Sequence, residues 1–195
     1  MYTIKNEVTY KQIINKSIFI SYLFPVKSED DAKEKLNQIR EKHYDATHNC
    51  YCYIVGYNAS IIKFSDDGEP QGTAGVIIYN CLQKKSLTNV LAIVTRYFGG
   101  IKLGAGGLVR AYSSSTALAL ENAEIIEIVK YITLKITSNY QNLKILEKYL
   151  SDYEIKNKEF KEKVYFEVVI PETEKDKLKA KLIDITKDEV LISFE

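Results

Sequence analysis

The sequence predicts an α+β protein in two parts, a mixed α/β unit over residues 1–127 and a smaller unit of strands and helices over residues 128–195. Three observations carry this. All nine glycines lie between Gly56 and Gly107, so backbone freedom is concentrated in the first part. After Ala123 the texture turns Lys/Glu-rich, with no Gly and only Pro171. The periodic segments of that remainder then follow as strand, helix, strand, strand, helix, strand, the βαββαβ order of ferredoxin-like domains.

Taken in order, residues 18–26 read as a strand and 29–43 as a helix. Ala32, Leu36 and Ile39 fall on one side of that helix, and Ser28 is placed to accept its first free N–H groups. A strand over 49–57 alternates Cys50, Cys52 and Ile54 with Tyr51, Tyr53 and Val55, and 61–65 is its hairpin partner. The acidic turn 66–70 leads into a helix over 73–83, a strand over 90–95, a glycine loop, and a helix over residues 106–122. The second part offers strands at 131–137, 154–160, 164–170 and 190–194, with helices at 142–150 and 174–185.

With 195 residues, 46% of them hydrophobic, the chain can bury substantial cores. Lys plus Arg is 27 and Asp plus Glu is 26, a formal charge of +1, which excludes a global electrostatic grip on nucleic acid or anionic membrane. Any such grip is local. From Pro70 through Leu120 there is no Asp or Glu, while Lys84, Lys85, Arg96, Lys102 and Arg110 give that stretch +5. The longest run free of charged residues, 46–62, is broken by Thr47, His48, Asn49, Asn58 and Ser60, whereas a spanning helix needs about 20 largely apolar residues. The N-terminus carries Lys5, Glu7 and Lys11 rather than a secretory signal. Three cysteines, Cys50, Cys52 and Cys81, fit a reducing compartment, so the chain is expected to be cytoplasmic and without a membrane partner. His48, Cys50 and Cys52 leave a zinc set incomplete unless Cys81 or His43 joins; strand cysteines packed in a core are the preferred reading.

The chemistry concentrates in residues 91–111, LAIVTRYFGGIKLGAGGLVRA. A strand runs into a glycine loop and then a helix, and such loops bind anions because glycine lets the backbone come close while free N–H groups at the helix start point outward. The candidate anion or nucleic-acid site is therefore Arg96, Tyr97, Gly99, Gly100, Lys102, Gly104, Gly106, Gly107 and Arg110. A tight crossover with ordinary surface cations accounts for the same spacing. The loop matches neither the dinucleotide nor the P-loop fingerprint, so no cofactor is implied. Asp66, Asp67 and Glu69 have three competing fates: complementing a helix N-terminus, pairing with Arg96 or Arg110, or holding Mg²⁺. Capping and pairing rank above metal. His43 and His48 flank Asp45 with no nucleophile motif beside them, and no catalytic residue is assigned. Tyr97 and Tyr112 are candidates for stacking on bases.

Three runs acting together resemble the YigZ/IMPACT family: His48-Asn49-Cys50, SDDGEPQGTAG at 65–75 and VTRYFGGIKLGAGGLVRAY at 94–112. Their order and separation also match, and the resemblance covers most of residues 15–125. It implies an N-terminal domain like the second domain of ribosomal protein S5, followed by a ferredoxin-like domain, a pairing similar to domains IV and V of elongation factor G. It also implies a link to translation. Eukaryotic IMPACT proteins compete for an activator of a stress-responsive initiation-factor kinase, and nucleic-acid binding is suggested for bacterial relatives. Ile77 stands where the family often has Pro, and Ile18 where it often has a basic residue.

The expectation is a non-enzymatic, translation-associated binder whose acid-free surface contacts RNA or ribosome phosphates. Three contacts from Arg96, Lys102 and Arg110 would give a log–log salt slope of roughly −2 to −3. One alternative is an enzyme acting on a phosphorylated small molecule, with Asp66, Asp67 or Glu69 holding Mg²⁺ or a proton. Another is a protein-interaction module that uses the sheet of the second domain, with a translation-associated protein as a candidate partner.

Overall fold

The computed structural model describes residues 1–195, which run β1 (Tyr2–Ile4), β2 (Val8–Ile14), β3 (Ser17–Pro25), α1 (Glu29–Lys42), β4 (His48–Val55), β5 (Ile61–Ser65), α2 (Gly75–Lys84), β6 (Val90–Tyr97), α3 (Gly104–Glu121), β7 (Ile125–Glu127), β8 (Tyr131–Ser138), α4 (Leu143–Leu150), β9 (Glu154–Phe160), β10 (Val164–Pro171), α5 (Lys175–Ile185) and β11 (Val190–Phe194). They divide into two units, Met1–Ile128 and Val129–Glu195. No helix is long and apolar enough to cross a membrane.

The first unit is built on a five-stranded antiparallel sheet of order β2-β3-β6-β4-β5. Its central strand β6 is buried on both sides, which is why 90–96 lacks a polar alternation. Period-two alternation then separates two cores. Phe19, Leu23, Cys50, Cys52 and Ile54 face Ile78 and Leu82 of α2 and Leu108, Ala111 and Tyr112 of α3. Tyr22, Tyr53, Val55, Leu91 and Ile93 face Ala32, Leu36 and Ile39 of α1. Helix α1 starts where Ser28 Oγ accepts the Asp31 N–H at 3.1 Å.

Three strands escape the sequence pattern. Strands β1 and β7 pair with each other but are three residues each, too short to show a period. In β2 the inward and outward alternation is regular but polarity does not follow it at 12 and 13: Gln12 takes an inward position to bond Ser114 and Ser115, while Ile13 is exposed. A two-residue turn with positive φ at Asn15 and Lys16 joins β2 to β3, the geometry that matches the twist of a hairpin.

The second unit is a four-stranded antiparallel sheet of order β11-β8-β10-β9, the ferredoxin-like order. Leu134, Ile136, Phe166 and Val168 on one face pack under Leu146 and Leu150 of α4 and Leu178 and Leu182 of α5. Its other face carries balanced charges: Lys135 pairs with Glu167 and Glu195, and Lys161 with Glu159.

Candidate functional site

The acidic turn is spent on the fold. It bends through positive φ at Asp67 and Gly68. Asp66 Oδ1 accepts the N–H groups of Ala74 (3.0 Å) and Gly75 (2.8 Å), and its Oδ2 accepts that of Gly72 (2.9 Å), so it caps α2 from outside the helix. Asp67 Oδ2 accepts the Asn49 N–H at 2.7 Å, and its Oδ1 the Arg40 guanidinium at 3.0 Å. Glu69 is buried, and its Oε1 accepts from Arg96 Nη1 at 2.6 Å and from the Tyr112 hydroxyl at 2.8 Å. The Asp67 carbonyl lies 2.7 Å from His48 Nδ1, so that nitrogen carries the proton. The other ring nitrogen, Nε2, lies 3.8 Å from Glu69 Oε2. Cys50 and Cys52 are free and buried, and burial pushes both thiols far above the ordinary range, which removes them as nucleophiles.

Arg96 is placed by alternation on the α2 and α3 side of β6, only 5% exposed, between the rings of Phe19 (5.5 Å) and Phe98 (5.6 Å). Its charge is neutralised by Glu69, which withdraws it from the set of free phosphate clamps. Its neighbour Tyr97 points to the opposite face, where it accepts from His43 Nδ1 at 2.8 Å and donates to Asp45 at 3.0 Å. Tyr112 is wholly buried, and burial together with Cys50 and Glu69 raises its phenol. Neither tyrosine is free to stack on a base. The exposed ring at the loop is Phe98.

The loop itself fits close backbone approach. A side chain at Gly99 would meet the Lys16 backbone at 2.0 Å, so only glycine lets the loop lie against the β2–β3 turn. Gly100 and Gly104 have φ of +83° and +69° with open space where a Cβ would sit. Helix α3 begins after Leu103 with no side-chain cap, unlike α2, whose start is satisfied by Asp66. Arg96, Lys102, Gly104, His48 and Glu69 line one cleft of about 320 Å³, together with Phe98, Pro70, Leu103 and Leu108. Gly106, Gly107 and Arg110 follow in the first turns of α3; Arg110 folds back toward Gly106, outside the cleft wall. The +5 stretch is therefore dispersed, since Lys84 and Lys85 sit at the far end of α2. The contact between Gly99 and the hairpin turn brings in a cation that the sequence reading missed, Lys16. Lys16, Lys102 and Arg110 are all exposed, and no carboxylate pairs with them.

The comparisons with known proteins agree along nearly the whole chain. The model of the Impact N-terminal domain matches residues 15–120, and that of a domain of unknown function, DUF1949, matches 144–189. The IMPACT family member YvyE of Bacillus subtilis is 38% identical over 187 residues, 95% of this chain and 86% of that protein. The IMPACT family member YigZ of Escherichia coli is 33% identical over 184 residues, 92% of this chain and 90% of that protein. A crystal structure described as that of a hypothetical protein matches with a TM-score of 0.67 and 31% identity, over 98% of this chain and 95% of that one. With the Impact N-terminal domain model matching residues 15–120 and relatives 38% and 33% identical over 95% and 92% of this chain, the chain belongs to the IMPACT family.

Proposed function

We propose that the protein is a translation-associated RNA binder that grips phosphates at the start of α3. The observation that carries this reading is that Lys102 and Arg110 flank the uncapped start of α3 while Lys16 stands in the hairpin turn packed against Gly99, all three exposed and without acidic partners. Positive charge and free N–H groups at one place favour phosphate. The link to translation rests on the family. The enzyme reading loses ground because Asp66, Asp67 and Glu69 already accept backbone N–H groups, a guanidinium and a phenol, which leaves no uncommitted carboxylate at the loop.

The test is a fluorescence anisotropy titration of a labelled single-stranded oligoribonucleotide across a series of salt concentrations. Three phosphate contacts at about 0.7 each give a log–log slope of about −2. Lys102→Ala and Arg110→Ala should each flatten the slope by about 0.7 and weaken all sequences alike. No binding at low salt would sink the proposal.

A further inference from the structure

Building on the RNA reading above, we propose that the cleft beside Phe98 receives one unpaired nucleotide, with the base against the Phe98 ring and the phosphate against Lys102 and the first N–H groups of α3. The ring is 47% exposed at the point where the chain leaves β6. It is held in place: the Phe98 N–H donates to Thr47 Oγ1 at 3.0 Å, and the Arg96 guanidinium backs the ring at 5.6 Å. A fixed aromatic face costs little to engage and accepts any base.

The cleft wall supports the same ligand. A phosphate alone has no use for Pro70, Leu103 and Leu108, yet these apolar groups line the cleft together with Lys102. An apolar floor with a cation beside it suits a flat base joined to an anion. Arg96 lines the cleft almost fully buried and is fixed by Glu69, so the wall behind the ring is set before a ligand arrives. Gly100 and Gly104 leave bare backbone at the same mouth, in conformations that side chains rarely adopt. A base stacked and paired inside a duplex cannot reach the ring, so single strands are preferred over duplex.

The chain contains no tryptophan, so Phe98→Trp creates a unique reporter at the ring. Trp emission should be quenched by a single-stranded oligoadenylate and not by inorganic phosphate or a blunt RNA duplex. Phe98→Ala should weaken the oligoadenylate about tenfold while leaving duplex affinity unchanged. If Phe98→Ala folds poorly, the Phe98→Trp quenching decides alone. Equal affinity of the unaltered protein for single strand and duplex, with no quenching, would overturn the nucleotide seat while leaving phosphate binding standing. Failure to bind either RNA at low salt would overturn the reading beneath it.

Discussion

Glu69 accepts from the Arg96 guanidinium and the Tyr112 hydroxyl at once, in a part of the first unit where water scarcely reaches. Glu69→Gln keeps an acceptor for the phenol but leaves the guanidinium buried without a counter-charge. Removing one partner of a buried pair costs about 3–5 kcal/mol, and urea unfolding should show a loss of that order. His43 makes a second prediction. Tyr97 donates to Asp45 and so accepts from His43 Nδ1, which leaves Nε2 to accept from Tyr22 at 2.6 Å. Burial is the main cause that lowers the pKa of this histidine; Lys42 adds to it and Asp45 opposes it. The unfolded chain therefore takes up the proton more readily. Stability from this group is present above about pH 6.5 and is lost as pH falls through the lower folded value. His43→Gln should flatten the fall in urea midpoint between about pH 7 and pH 5, relative to the unaltered protein.

Two helices start within the site, and they are treated in opposite ways. Three N–H groups at the start of α2 and just before it converge on Asp66, while α3 offers its first N–H groups to no side chain. Asp66→Ala should cost about 1–2 kcal/mol, the upper range for a lost cap, measurable as a lowered thermal midpoint. It should leave RNA binding intact wherever the protein remains folded, since Asp66 serves α2. Gly99→Ala should do the reverse to the site. Its Cβ collides with the backbone at Lys16 and Ser17, so the loop must leave the hairpin turn. The expected result is a loss of about 1–3 kcal/mol and a flatter salt slope as Lys16 moves away.

The same elements show what the sequence could reveal. Helix α1 and strand β4 were legible because Ala32, Leu36 and Ile39 keep a helical period, and because Cys50, Cys52 and Ile54 alternate cleanly with the tyrosines. Strand β2 was not, because Gln12 occupies an inward position for the sake of two serine hydroxyls on α3. The glycine loop could be read as a place of close approach. Pairing with Arg96 was among the fates the acidic turn offered, though which carboxylate would take it was not; that Lys16 would arrive beside Gly99 depends on contacts spanning 82 or more positions, which local pattern does not encode.

At the scale of the whole chain, the family match over residues 15–120 is shorter than the unit that has to fold. Strand β2 lies wholly before residue 15, yet it forms one edge of the sheet and bonds α3 through Gln12. Strand β7 lies after residue 120 and pairs with β1, where Ile4 is fully buried in the core shared with α3. A fragment of residues 15–120 would expose the apolar undersides of β3 and α3 and lose Ile4 altogether. Burying a side chain of that size is worth about 1.5–3 kcal/mol, and several would be lost together against a total stability of about 5–15 kcal/mol. Residues 1–128 keep every one of these contacts, and the second unit has its own closed core around Leu134, Phe166 and Leu182. The 1–128 fragment should therefore unfold cooperatively and bind single-stranded RNA with the slope of the full chain, whereas 15–120 should show no cooperative thermal transition. A cooperative 15–120 would mean that β1, β2 and β7 are dispensable, and that the Lys16 turn needs no strand to hold it against Gly99.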